Sequence, residues 1–417
     1  MKKGYDRNYW AMVLEGTMFH GGIVVFSTGG VVALFVNTMT GSNTLIGLAV
    51  TLQGLCIILG QLISAPYVNT IRKLPQFLYK SMGVQRIIPL LIALPLFIGA
   101  SGYISVIAFM VLFASFWFYD GVITLPWGEM CARALKPELR GHMMGIQATI
   151  GGALSLLVGL VIAWLLATPT LSDNDRFGLI FVLGSVLLLT SVIFIRLVKD
   201  PKPIIDIEKV SIKKFYSQIP FIIKKNKPLQ LVLIARIPSY IGFAAISFVV
   251  VFGKNAIHLS DTQISWLVYA GIIGGILSGI ILGEASRHYG NKAIILLSNF
   301  AVIVSLCMAV SMTYFQNLGY IWLFITCIIA SFSANHWIGY FNYFIDIAPV
   351  EKRSEFQLIG QAVGIPFSFA GLIMGAIVDR FGYITMFIIC VVFAIITVLL
   401  SLPLLSKNKV AELSATK

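Results

Sequence analysis

Stretches of roughly 20 apolar residues, each long enough as a helix to cross about 30 Å of hydrocarbon, recur throughout this sequence. Twelve are read: 10–35, 44–68, 76–99, 104–127, 141–167, 177–198, 228–252, 261–285, 292–314, 320–345, 356–378 and 381–405. Hydrocarbon offers backbone N–H and C=O groups no partner, so such a chain folds as helices or as a closed β-barrel. Strand-type alternation of apolar and polar residues is absent, which excludes the barrel. Composition agrees, with 58% of the 417 residues hydrophobic and 11% charged, where soluble domains carry about 25% charged residues. The expected fold is an all-α membrane protein with twelve transmembrane helices. The first span follows Lys2, Lys3 and Arg7. It is too long for a signal-peptide core and has no cleavage site, so it is read as a permanent helix.

The net charge of +13 does not point to nucleic acid, because the basic residues follow the loops. With the N-terminus inside, 25 of the 30 Lys and Arg fall on inside segments. Three (Arg176, Lys254, Arg380) lie outside, and Arg86 and Arg236 lie within spans. This is the asymmetry that orients helices during insertion. Both termini are expected in the cytoplasm, with membrane lipids rather than nucleic acid as the surface partner. Cys56, Cys131, Cys307, Cys327 and Cys390 form no CxxC and no metal-ligand spacing. They read as packing residues, and no metal or cofactor is expected.

The chain repeats itself. DRFGLI (Asp175–Ile180) opens span six, and DRFGYI (Asp379–Ile384) opens span twelve. ALKPELRG (Ala134–Gly141) follows span four and IAPVEKRS (Ile347–Ser354) follows span ten. Each places Pro and then Arg at the cytoplasmic start of the next helix. Two matches at equivalent places indicate a duplicated six-helix unit, with pseudo-symmetric bundles at 1–198 and 228–417 and a cytoplasmic loop at 199–227. Within that loop DPKP (Asp200–Pro203) cannot be helical throughout. KKFYSQIPFIIKK (Lys213–Lys225) spaces Phe215, Ile219, Ile222 and Ile223 as one apolar helical face between lysine pairs. It is expected to lie on the inner membrane surface, with Pro220 limiting its regularity.

Twelve spans in a 6+6 arrangement, a basic central loop and short cytoplasmic loops after spans two and eight resemble the major facilitator superfamily. Its signature loop G-x-x-x-D-R-x-G-R-K is partly matched by GEASRHYGNK (Gly283–Lys292), where Gly283, Gly290 and Lys292 fit and Arg287 stands in the aspartate's place. The first-half counterpart SAPYVNTIRK (Ser64–Lys73) keeps only Arg72 and Lys73. The resemblance implies a secondary transporter whose helices one, four, seven and ten line a central cavity.

The ionisable residues give an independent check on that assignment. Those about two turns or more from a span end are Glu15 and His20 on span one, Arg86 on span three, Asp120 on span four, Arg236 on span seven and His336 on span ten. All but Arg86 fall on the four cavity helices, and polar groups in hydrocarbon face a partner or water. At 1.5 Å per residue, Glu15, Asp120 and Arg236 lie roughly 8–12 Å in from the cytoplasmic side. Asp120 is expected to share this layer with Glu15 and Arg236. The layer serves either as a structural ion-pair network or as a pathway in which a carboxylate takes up and releases a proton. Asp120 is expected to face Arg86, Arg236 or water, and the remaining alternative is snorkelling without function, for which Arg86 with its long stem is the best candidate. His20 and His336 are proton carriers or neutral hydrogen-bonding groups. Asn335, Trp337 and Tyr340 on span ten, with Trp117 and Tyr119 on span four, form mixed polar and aromatic stripes. Such stripes suit a solute with an apolar face, or serve as helix packing.

Arg140 and Arg353 are equivalent in the repeat. Each is expected to close the cytoplasmic side by pairing with an acid at a neighbouring helix end, Glu129 and Asp346 being nearest in sequence. Arg287 of the signature-like loop joins them. Glycines on spans five and eleven, Gly145 and Gly360 among them, let backbones approach closely.

No P-loop, HExxH or G-x-S-x-G occurs, so neither direct ATP drive nor an enzyme is expected. The reading is a monomer in a bacterial inner membrane that moves a small-molecule solute by alternating access with protons. Export of amphipathic compounds is the first form of it, and uptake of a polar nutrient such as a sugar is the alternative. A non-transporting receptor or scaffold is the alternative of another class. The charge asymmetry makes a topology prediction. Reporter fusions after Asn174 and Asn317 should lie outside and those after Pro203 and Lys407 inside; an inside signal from Asn317 would break the twelve-span count.

Overall fold

The computed structural model describes residues 6–27, 31–40, 43–100, 102–199, 212–255, 261–312, 319–409 and 412. The readings placed on Lys2, Lys3, DPKP and Asn317 fall outside that description, as do the side chains of Lys254 and Asp379. The described residues form helices and no strand. In chain order these are α1 (Arg7–Ile23), α2 (Val31–Thr40), α3 (Asn43–Ser64), α4 (Leu74–Phe97), α5 (Gly102–Ala134) and α6 (Pro137–Ala167). After α7 (Asp173–Arg196) come two short helices, α8 (Ile212–Ser217) and α9 (Ile219–Lys225). The second half holds α10 (Lys227–Ala244), α11 (Val249–Asn255), α12 (Asp261–Tyr289), α13 (Asn291–Ser311) and α14 (Gly319–Ala330). It ends with α15 (His336–Ile347), α16 (Arg353–Ala362) and α17 (Ala370–Ser401).

Among the described residues nine helical stretches are long and apolar enough to cross a membrane. The other three expected spans are interrupted. The first breaks at a 3₁₀ turn over Val24–Phe26, the seventh at Ala245–Phe248 and the eleventh at Ile365–Phe369. The tenth also breaks, at Ser331–Asn335 between α14 and α15. Local chemistry accounts for the break in the eleventh span, where Pro366 lies in the first turn of the Ile365–Phe369 segment. Proline withholds an N–H and clashes with the preceding turn. The freed groups are recovered by tighter bonds, such as Phe367 N to Gly364 O and Ser27 N to Val24 O, both 3.0 Å. The first-half partners of the tenth and eleventh spans, α5 and α6, run unbroken, so the repeat is less symmetric than its sequence. Spans eleven and twelve also differ from expectation at their junction. They meet within α17 at a kink on Gly382, whose φ of 80° is readily available only to glycine.

Contacts divide the chain into two compact units. One is Met1–Lys136 with Ile150–Phe215; the other is Pro137–Thr149 with Tyr216–Lys417. The start of α6 therefore packs with the second unit. Small residues explain this, because a Cβ on Gly145 would strike the Gly279 carbonyl and the Gly283 backbone. Thr149 Oγ1 also donates to Ile276 O at 3.2 Å.

The first unit has an aromatic core of Phe26, Phe35, Phe109, Phe113, Phe116, Phe177 and Phe181, with Phe26 and Phe116 rings 4.5 Å apart. On α5 the residues Ile104, Ile107 and Val111 are exposed, while Val106, Phe109 and Phe113 are buried. Apolar residues on both faces mark a helix with lipid on one side and core on the other. The amphipathic segment differs from expectation. It is split at Gln218 into α8 and α9, and Ile222 is buried in a cluster with Leu229, Tyr343, Phe344 and Leu404. Ile219 and Ile223 pack against the same cluster.

In the first unit α3 and α5 touch backbone to backbone. A Cβ on Gly121 would strike the Ile57 carbonyl and one on Gly60 the Phe118 carbonyl, whereas one on Gly54 meets nothing. Gly121→Val should cost about 1–3 kcal/mol by overpacking and lower the melting temperature of the purified protein. Gly54→Val should change it little. Equal effects at the two positions would refute the close α3–α5 approach.

Candidate functional site

The polar layer of the first unit is built from α1, α4 and α5. Glu15 on α1 and Arg86 on α4 are each 2% exposed, and Arg86 Nη2 lies 2.8 Å from Glu15 Oε1. The second carboxylate oxygen accepts from Trp127 Nε1 at 3.1 Å. Arg86 also sits over the Phe19 ring at 5.4 Å. This corrects the snorkelling reading. Arg86 does not reach for the interface, because a carboxylate at its own depth satisfies it. Asp120 is not bound to Arg86 either. Its Oδ1 accepts from Gln85 Nε2 at 3.0 Å, and among the described residues it forms no ion pair. Gln85 Nε2 also reaches Phe116 O at 3.3 Å, while Gln85 Oε1 is buried and accepts no hydrogen bond.

His20 on α1 packs edge-on to Phe19 with ring centres 6.2 Å apart. Its carbonyl accepts from Ser155 Oγ at 2.9 Å. Trp117 is 7% exposed and belongs to the apolar core beside Phe113 and Phe116, so the lining role expected of it is corrected to core packing. Tyr119 is half-buried at the edge of the same core.

The second unit has its own polar centre. Arg236 on α10 is 6% exposed, and its Nε donates to Tyr240 Oη at 2.7 Å. The guanidinium carbon lies 4.7 Å from the ring centre of Tyr340, 5.3 Å from that of Tyr240 and 5.7 Å from that of Phe344. His336 Nδ1 lies 2.6 Å from Ser333 O, with its ring 3.9 Å from that of Phe243. Asn335 Nδ2 donates to Ser278 Oγ at 2.6 Å. Tyr340 is fully buried, and Trp337 is 38% exposed. These two neighbours on α15 thus do different things, Tyr340 facing Arg236 and Trp337 the surface.

A third cluster lies where the start of α6 meets α12, α13 and α15. Arg140 Nη1 is 2.9 Å from Asp346 Oδ1, and Asn291 Nδ2 donates to Asp346 Oδ2 at 2.7 Å. Asn291 Oδ1 in turn accepts from Ser286 Oγ at 2.7 Å. Arg353, which opens α16, also acts on Asp346 through its charge. Arg287 pairs with Glu284 at 3.1 Å, and His142 reaches the same carboxylate at 3.3 Å. Glu129 meets Arg133 one turn along α5 at 2.8 Å.

Comparison with known proteins identifies this architecture. Residues 232–417 match the model of the Major Facilitator Superfamily. The proton:xylose symporter XylE, solved with 6-bromo-6-deoxy-D-glucose, superposes with TM-score 0.74 at 14% identity, over 98% of both chains. A bacterial homologue of the iron transporter ferroportin, in an outward-facing state, gives TM-score 0.73 at 12% identity, over 98% of this chain and 100% of that one. The chain has the major facilitator fold. The E. coli fucose:proton symporter FucP is similar too, with TM-score 0.69 at 13% identity over 96% of this chain and 98% of its own. No curated protein matches the sequence. The helical fold that the loops and span count resemble is borne out by these superpositions.

Several residues of these clusters carried no signal in the sequence, because a search for ionisable groups passes over neutral donors. Gln85 and Asn291 are amides, and each holds a half-buried aspartate. Trp127 lies in the aromatic run around Asp120 yet serves Glu15. Tyr240 was legible, since it follows Arg236 by four residues and so shares its helix face.

The Glu15–Arg86 pair makes a quantitative prediction. Glu15→Gln leaves Arg86 buried without its counter-charge and should cost about 3–5 kcal/mol. Arg86→Gln should cost a similar amount. The double variant should recover about 2 kcal/mol of the summed loss. Thermal unfolding of the four proteins checks this, and simple additivity would show that the two side chains are not coupled.

Proposed function

We propose that this protein is a secondary active transporter that moves a small organic solute by alternating access, with protons as the coupling ion. One observation carries the proton assignment. Asp120 accepts from the Gln85 amide N–H at 3.0 Å, while the carbonyl of that amide is buried and accepts nothing. A protonated Asp120 would donate its O–H to that carbonyl, so the same amide serves both charge states. A buried acceptor left empty costs about 1–3 kcal/mol, and protonation removes that cost. Glu15 has no such freedom, because Arg86 and Trp127 occupy both its oxygens. The similar folds of the proton symporters XylE and FucP support the same reading.

Asp120, Glu15, His20, Arg236, Asn335 and His336 form the solute and proton pathway, with Tyr119, Tyr340 and Trp337 as its aromatic groups. Arg140, Asp346, Arg353, Glu129 and Arg287 form the cytoplasmic gate. Arg140 and Asn291 share one carboxylate, so release of either bond leaves Asp346 half-held and favours opening. The protein acts as a monomer in a bacterial inner membrane with both termini cytoplasmic. The aromatic cage around Arg236 favours a solute with an apolar face and hence export of amphipathic compounds. A polar nutrient such as a sugar would move the other way, and the sign of the pH gradient that drives accumulation in proteoliposomes separates the two. Absence of transport across a solute panel would return the protein to the receptor or scaffold class.

Asp120→Asn tests the coupling directly. The new amide N–H donates to the empty Gln85 carbonyl and so imitates the protonated acid permanently. The variant should keep its thermal stability and its solute exchange, and should lose accumulation driven by a pH gradient at least tenfold. Full gradient-driven accumulation by a stable Asp120→Asn protein would remove Asp120 from the proton pathway.

A further inference from the structure

Three enclosed arginines among the described residues come with carboxylates. Arg86 has Glu15, Arg133 has Glu129 and Arg140 has Asp346, at 2.8, 2.8 and 2.9 Å. Arg236 is 6% exposed and forms no ion pair among the described residues. Its own helix, α10, carries no acidic residue, and neither does α13 beside it. On α15 the one acid is Asp346, which Arg140 and Asn291 occupy. On the neighbouring α16 Glu355 is held by Ser354 Oγ at 3.1 Å. What surrounds Arg236 is aromatic, namely Tyr340, Tyr240 and Phe344 at 4.7, 5.3 and 5.7 Å from ring centre to guanidinium carbon.

Of its donors, only Nε is used, toward Tyr240 Oη at 2.7 Å. The two terminal nitrogens make no hydrogen bond to the described residues. Neither is among the fully enclosed side-chain atoms that lack a partner, although Arg86 Nε is. The small open area of Arg236 therefore admits something to these nitrogens. Ring faces attract a guanidinium, but they do not neutralise it. A lone buried charge destabilises a fold, so the missing counter-charge is the feature to explain.

We propose that the transported solute supplies it: Arg236 binds the carboxylate of a small organic anion whose apolar or ring-shaped body lies against the aromatic cage. This rests on the transporter reading and gives its solute a chemical class. The edge formed by Nη1 and Nη2 matches a carboxylate through two parallel hydrogen bonds. One negative charge balances one guanidinium, whereas a phosphate dianion would leave an excess. Nε remains with Tyr240, which fixes the plane of the fork before the solute arrives.

The test uses the purified full-length protein and three probe pairs at equal ionic strength: benzoate with benzamide, D-glucuronate with D-glucose, and L-lactate with lactamide. At least one carboxylate should raise the melting temperature, as a ligand of the native state does, and its neutral partner should not. Arg236→Gln should weaken that binding at least tenfold. Its own melting temperature should equal or exceed the wild-type value, because an unbalanced buried charge has been removed. Equal shifts with the neutral partners, no shift with any carboxylate, or an Arg236→Gln protein as unstable as Arg86→Gln would each overturn the proposal. Movement of the neutral probes alone by reconstituted wild-type protein would end this inference and keep the transporter reading. Carboxylate binding without movement across the membrane would do the reverse.

Discussion

Hydrocarbon offers no hydrogen bonds, and the rest of this structure depends on that constraint. Each backbone amide must find its partner within the chain, so the described residues are helical almost wherever they are apolar. The same rule governs the breaks. Where the seventh, tenth and eleventh spans leave the α-helical path, they tighten into 3₁₀ turns instead of opening into loops. A 3₁₀ stretch within a helix bends more readily than the α-helix around it and often marks a hinge. Four such turns lie within spans, while α5 and α6 run unbroken for 33 and 31 residues. Stiff and jointed helices therefore coexist in one fold.

Charge obeys the same constraint more severely. Glu15 and Arg86 are both almost fully enclosed and compensate each other, with Trp127 closing the remaining carboxylate oxygen. Arg140 and Asp346 repeat the solution in the second unit. Against this background two residues stand out. Asp120 has an amide where a cation would be expected, and Arg236 has aromatic rings where a carboxylate would be expected. A fold optimised for stability alone would pair or replace both. Their environments stay incomplete where those of the other buried charges are balanced.

The start of α6 links the duplicated sequence to its use. Glycine and threonine at Gly145 and Thr149 bring its backbone against α12, and Arg140 ties it to the end of α15. Close backbone packing is indifferent to charge, whereas the Arg140–Asp346–Asn291 cluster is not. A surface joined by small residues and a few polar bonds can separate without exposing a large apolar area.

Much was legible in the sequence, because the bilayer writes its demands in composition and spacing. Apolar runs of about 20 residues fixed the spans, the distribution of Lys and Arg gave an orientation, and the paired DRFG and Pro–Arg loops exposed the duplication. The depth of Glu15, Asp120 and Arg236 followed from counting residues along a helix. Which of them meet did not follow. Depth is a property of one helix, whereas pairing depends on the rotation and neighbours of several. Arg86 read as the best candidate for snorkelling until α1 was seen to bring Glu15 within 2.8 Å. Gln85 and Asn291, neutral and unremarkable in sequence, became the partners of half-buried aspartates only through packing. The sequence by itself determined that charges would be buried and at what level; the tertiary structure decided which are balanced and which are left open, because balance is a matter of a few ångströms between helices far apart in the chain.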